Sequence, residues 1–496
     1  MIRLAFLLTL YILLQPLHSL AQGYFEWTTT ARAAYDKTMQ LRLVEASELL
    51  EQMKIAEPNN LLRLHVADYI DFLTVYIDED ETTFQQLEAQ KNQRLEQISR
   101  QGDSNSPYYL YVQADIHLHW ALARLKFEEY ATTFFETNKA FKLLNKNSRK
   151  FPEFAANQKD LGLLHAIVGT IPDNYRWALS WISSMEGTVA QGKAELEEVL
   201  TYARHNDFVF TAEAEVFYAY LQLHLENEPQ AAWKTIQNSQ LQPDSSPLHT
   251  FIIANIATYA ARNDHAIQLL ENAPKGSHFH PFPYLNFMLG EAKLNRLDTD
   301  ADQHFKQFLS AYKGRNFIKD AYRRLSWHAL LFGTVGQFRQ YQADVRSRGY
   351  TIVGEDESAQ LEASEQLMPH QDLLRARLLF DGGYYERAHD LLATQSVLEF
   401  DTERHQLEFH YRTGRIHHAR AQYDAALRAY QQTIVRGRTS PHYYACRAAL
   451  EQGRIYEATN QRTAARAAYK NCLSIQPKEH RTGLHQQAKT GLLRLK

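Results

Sequence analysis

The chain has little of what staples, hinges or charges a fold. It contains 2 cysteines, 20 glycines and 14 prolines in 496 residues, and its formal net charge is −3. Glycine, at about 4%, lies below the usual ~7%, and abundant alanine, leucine, glutamine, glutamate and arginine favour helix throughout. The near-neutral balance lacks the basic surplus by which nucleic-acid binders are recognised, so no nucleic acid is expected as a partner. Runs of one charge sign, the mark of a disordered tail, are missing too. After the first residues no long apolar run recurs, so no transmembrane segment is expected in the mature chain. Neither G-x-S-x-G, nor a glycine-rich dinucleotide loop after a strand, nor His-Glu-x-x-His occurs. No motif therefore speaks for an enzyme, a cofactor or a metal.

What is present begins with a targeting pattern. Arg3 precedes an apolar run over 4–14, and Ser19-Leu20-Ala21 has the small-x-small form of a cleavage site before Gln22. Residues 1–21 thus read as a signal peptide, and the chain is expected in the periplasm or cell envelope of a Gram-negative bacterium. No cysteine stands near the site, which excludes a bacterial lipid anchor there.

One pattern then occurs three times over 375–477. Tyr385, Ala388 and Leu392 recur as Tyr423, Ala426 and Tyr430, and as Arg462, Ala465 and Tyr469. The alanines are 38 and 39 residues apart, and twelve residues before each stand Ala376, Gly414 and Gly453. Pro477 closes the last unit. The pattern predicts paired helices in which the alanine meets the small residue and the large side chain fills the gap toward the next repeat. Upstream, Ala46 with Leu50, Gly192 with Leu196, Ala232 with Ile236, Ala266 with Leu270 and Ala301 with Phe305 keep the spacing. Prolines fall between the periodic stretches, where helices end. Residues 109–144 read as one long amphipathic helix. The acidic, weakly periodic stretch 350–368 reads as a connector between an N-terminal array, 22–349, and a regular block, 369–496.

This skeleton resembles the tetratricopeptide repeat, although the period is longer than that family's 34 residues and its helix-A tryptophan is absent. The resemblance implies an all-α superhelix of antiparallel helix pairs. The block 161–200, with Gly169, Pro172, Trp177, Gly187 and Gly192, is also similar to the eukaryotic tetratricopeptide family linked to inclusion-body clearance. No functional residue carries over from it.

Chemistry-bearing patterns have ordinary readings beside them. Gly187 to Lys193 spells GxxxxGK, but Ala194 replaces the hydroxyl that would hold magnesium, and Trp177, Trp181 and Met185 precede it at helical spacing instead of a strand. The histidine pairs 117/119 and 417/418 sit too close in sequence to share a metal on one helix face; His278 and His280 lie in a loop. Cys446 and Cys472 fall at neighbouring ends of antiparallel helices, which in an exported chain favours a disulfide; two small core residues are the alternative.

By the resemblance, helix-A positions 2, 5, 9 and 12 line the groove. Position 9 is Arg377, Arg415 and Arg454 in successive repeats; Tyr411 and His418 take positions 5 and 12 of the middle repeat, and Arg447 position 2 of the last. Stacked guanidiniums repel unless an anion shares them, or unless each pairs with a glutamate such as Glu408 or Glu457. The expectation is a scaffold that binds a peptide or protein partner, with an acidic segment or C-terminal carboxylate in the groove. A glycan- or nutrient-binding outer-membrane receptor component is the alternative, and an enzyme of unknown class a further one.

Overall fold

The computed structural model describes residues 22–170 and 185–495. Over these the chain forms 24 α-helices and no β-strand, with consecutive helices packed on one another. None of the described helices is long and apolar enough to cross a membrane. The expected signal peptide, Pro172, Trp177 and Trp181 lie outside the described residues.

A turn in the left-handed conformation recurs at a fixed distance from a fully buried alanine. Leu41, Asn227, Ala261, Gly383, Ala421 and Asn460 have positive φ, and each stands five residues before Ala46, Ala232, Ala266, Ala388, Ala426 or Ala465. At Leu41, Gly383, Ala421 and Asn460 the turn closes as a Schellman motif. At Ala421 its own N–H reaches the His418 carbonyl while the next N–H, of Gln422, reaches back to His417. At Asn460 and Gln461 the same bonds go to Glu457 and Tyr456. Only Gly383 among the six adopts this backbone without a Cβ penalty.

In three hairpins the small residue receives a ring, not the alanine. A Cβ on Gly414 would lie 2.6 Å from the Tyr430 ring, one on Gly453 2.4 Å from Tyr469, and one on Gly290 3.1 Å from Phe305. Each ring belongs to the residue four after the buried alanine, Ala426, Ala465 or Ala301. The repeat pattern alone predicts that side chain toward the next repeat. An alanine methyl is too short to fill the space between two helix axes, so the large residue on the same helix face fills it.

The chain forms two compact units. The first comprises the described parts of Met1–Ala260, with Asn272–Tyr284 and Tyr312–Asn316. Its core is aromatic, with Tyr35, Tyr111, Trp120 and Phe210 buried, and it encloses a chain of ionic side chains. Asp115 accepts from the Tyr69 hydroxyl (3.0 Å) and lies 2.7 Å from His65 Nε2. Glu213 accepts from Tyr69 (2.9 Å), Tyr35 and Lys159 (2.7 Å), and Lys159 also pairs with Asp160 (2.9 Å). Lys159 is fully buried, which is tolerable only with such pairing. The region 109–144 is not one helix. Tyr108–Leu125 and Tyr130–Lys150 are separated by a turn with Glu128 at positive φ, a break that neither glycine nor proline signals.

The second unit comprises Ala261–Glu271, Leu285–Ala311 and Phe317–Lys496. The units do not divide at the acidic stretch. That stretch carries the helix Gly354–Ser364, whose Ala359 and Ala363 pack with Val345 and Tyr322. Glu355, Asp356 and Glu357 occupy its first turn, where negative charge suits a helix N-terminus. Asp356 also accepts the backbone N–H groups of Phe317 (2.6 Å) and Asp320 (2.9 Å), at the start of the helix Ile318–Phe332. After it come the hairpins Gln371–Asp381 with Tyr385–Ala393, Glu403–Ala419 with Tyr423–Gly437, and Tyr444–Ala458 with Arg462–Ser474. A last helix, Arg481–Arg494, presents Gly491 to the other side of the Tyr469 ring.

Candidate functional site

The first helices of the three C-terminal hairpins place their arginines around one cavity of about 430 Å³. Arg377 comes from Gln371–Asp381, Arg412 and Arg415 from Glu403–Ala419, and Arg447 from Tyr444–Ala458. Phe380, Tyr411, Tyr443, His480 and Gln487 complete much of the wall. Among its described lining residues the carboxylate is Asp381, facing four guanidiniums.

The arginines are held from beneath. Glu408, buried one turn before Arg412, accepts from its guanidinium with Nε at 2.7 Å. Burial would raise the Glu408 carboxyl, yet Arg412 and Arg377 overcome this and hold it below its usual range. Glu451, also buried, takes Arg447 Nε and Arg454 Nη1, both at 2.9 Å. Burial there is again outweighed, by Arg454, Arg415 and Arg447, which hold the carboxyl down to about 2. Both acids are thus ionised and spent on the roots of the arginine fan.

Arg415 is different. Its Nη1 donates to the Tyr411 hydroxyl at 2.9 Å, and its guanidinium carbon lies 4.5 Å from the centre of the Phe380 ring. No carboxylate among the described residues stands within ion-pair distance of it. Arg377 lies over Trp327 at 4.5 Å and reaches Asp381 only at 3.7 Å. Cations seated on aromatic faces keep their N–H donors for another acceptor.

Of the groove residues expected from sequence, Arg377, Tyr411, Arg415 and Arg447 line this cavity. Arg454 and His418 are not among its lining. Arg454 bridges Glu451 and Gln487 Oε1 (2.8 Å), and His418 sits 3.4 Å from the Tyr430 hydroxyl. Arg412, Tyr443 and His480 were missed. Arg412 stands three residues before Arg415, one helical turn away on the same face, which was the available signal.

A second cavity of about 780 Å³ shares Arg377, Arg412, Tyr443, Arg447, His480 and Gln487 with the first, so the two form one groove. Its further wall carries Glu355, Ser358, Leu361, Glu362 and Glu365. Arg404, at the same end, is engaged by Glu479 at 2.9 Å.

The remaining sequence candidates have structural employment. Lys193 lies in the helix Val189–His205 and pairs with Glu226 at 2.9 Å, while a Cβ on Gly192 would press on the Gly162 carbonyl at 2.2 Å. His117 is bonded to Glu136 and His119 to Asp68. Cys446 and Cys472 are not bridged; they are two buried thiols with sulfurs 3.5 Å apart. The hydrogen bond from Cys446, with burial, pushes the Cys472 thiol up.

No protein-family model matches the chain, and no curated protein matches it.

Proposed function

We propose that this chain is an exported helical-repeat scaffold of tetratricopeptide type, whose second unit captures an acidic segment of a protein partner. Export is supported by the pattern of Arg3, the apolar run and Ser19-Leu20-Ala21. The repeat reading is supported by the recurring left-handed turn five residues before a buried alanine, with a large apolar or aromatic residue four after it.

The single observation that carries the binding reading is the cavity, with four arginines opposed to one carboxylate. Their companion acids, Glu408 and Glu451, are buried behind them and already neutralised. Such donors are pre-organised, so an incoming carboxylate meets guanidiniums whose rotamers are already fixed. Each shielded charge-assisted contact contributes about 1.5–3 kcal/mol, roughly tenfold or more in affinity.

Fluorescence anisotropy with a labelled glutamate-rich octapeptide and the full mature chain tests this. Binding should weaken as salt rises, and Arg377→Ala/Arg415→Ala/Arg447→Ala should lose at least a hundredfold in affinity, an estimate of about tenfold for each of two contacts. Equal binding by wild type and the triple variant would refute the reading.

A further inference from the structure

The helix Gly354–Ser364 divides its charges between two faces. Asp356, Ala359 and Ala363 turn inward and are buried. Glu355, Ser358 and Glu362, at offsets of three and four residues, form a neighbouring face, and with Glu365 at the helix C-cap they line the larger cavity. The acids at this end of the groove are not equally committed. Glu362 accepts from Trp327 Nε1 at 2.7 Å, and Glu365 meets Arg404 only at 3.6 Å. Glu355 is exposed, and its carboxylate has no ion-pair partner among the described residues. Glu408 and Glu479, in the same cavity, are by contrast engaged by Arg412 and Arg404. The groove therefore has a cationic end at Arg377, Arg412, Arg415 and Arg447 and an under-neutralised anionic wall at Glu355 and Glu365.

We infer that this acidic helix reads a cation: the segment bound in the groove carries a lysine or arginine for Glu355 and Glu365 as well as an acidic residue for the arginines, and enters in one direction. This rests on the reading of the arginine cavity as an anion site. A purely acidic segment would be repelled where it passes Glu355 and Glu365, and a purely basic one would be repelled at the arginines. Like-charge juxtaposition of this kind selects partners and fixes register more than it adds affinity. Leu361 and Met368, both half exposed or nearly so beside the acids, offer apolar contact to a lysine or arginine stem.

Three peptides with capped ends and one labelled spacer separate the possibilities: a lysine block followed by a glutamate block, the same blocks in reverse order, and the glutamate block with serines in place of lysines. They are titrated against the full chain and against Glu355→Gln/Glu365→Gln. One block order should bind about tenfold tighter than the serine peptide, and the inverted order should lose that gain. In the double variant the gain should vanish while the serine peptide binds as before or better. Equal binding of the serine peptide and both block peptides, or a gain that survives in the double variant, would overturn the inference while leaving the anion site standing. Failure of all three peptides to bind would remove both.

Discussion

Gly453 lies against the Tyr469 ring so closely that a Cβ would stand 2.4 Å from Cε1. The ring cannot retreat: Gly491 closes its other side at 2.6 Å by the same measure, and its hydroxyl donates to Glu457 at 2.5 Å. Replacing Gly453 by Ala should therefore destabilise the second unit by about 1–3 kcal/mol, the usual cost of overpacking. In the first hairpin Ala376 shares a cluster with Leu392, a smaller pairing. Adding Tyr469→Leu to Gly453→Ala should recover part of the loss in urea unfolding. Simple additivity of the two changes would contradict this coupling.

Ala421 holds the left-handed turn between its helices with φ 56°, while Gly383 fills the equivalent place one repeat earlier. Ala421→Gly should raise stability by about 1 kcal/mol, because relief of the left-handed strain exceeds the added freedom of the unfolded chain. The same change at Ala426, buried in a helix interior, should lower it. Thermal midpoints of the two variants should move in opposite directions.

The Glu451 carboxyl is held at about 2, below the ordinary 4.5. A depressed acid contributes stability that is present above the unfolded-state pKa and is lost as pH falls from about 4.5 toward about 2. The linked contribution at neutral pH is on the order of 3 kcal/mol. Glu451→Gln should lower the urea midpoint at pH 7, and the gap to wild type should narrow through that acid window. A gap independent of pH would show that Glu451 acts by packing alone.

The sulfurs of Cys446 and Cys472 touch at 3.5 Å, and a bond of about 2.05 Å needs only a small approach. Protein prepared under oxidising conditions should show no free thiol when unfolded without reductant, and fully reduced protein should show two. Two thiols after oxidation would mark the pair as packing residues only.

The helix pairs were legible because the alanines, glycines and rings repeat at the spacing that helix packing demands. The partner of each small residue was not legible, since spacing places Ala465 and Tyr469 on one face without saying which one reaches Gly453. Residues 354–364 looked like a connector because their apolar periodicity is weak; two alanines and Asp356, bonded to the start of the earlier helix Ile318–Phe332, are enough to dock them. Four of the groove residues could be picked out as cavity-lining from repeat position alone. Arg412 was hidden because its i,i+4 glutamate made it resemble a surface ion pair, and nothing in the sequence tells that Glu408 is buried. The ionic core of the first unit stayed hidden for the same reason. Polar residues such as Lys159 and Asp115 occupy positions where periodicity expects apolar ones.

The most direct test is to locate a bound anion on the full chain. A glutamate-rich octapeptide carrying a benzophenone is photo-crosslinked to the protein at low salt, and the adducts are mapped by mass spectrometry. The cavity account predicts adducts concentrated on its wall, at Phe380, Tyr443, Leu484 and Gln487, and their loss in Arg377→Ala/Arg415→Ala/Arg447→Ala. Adducts spread over both units, or unchanged in the triple variant, would contradict it.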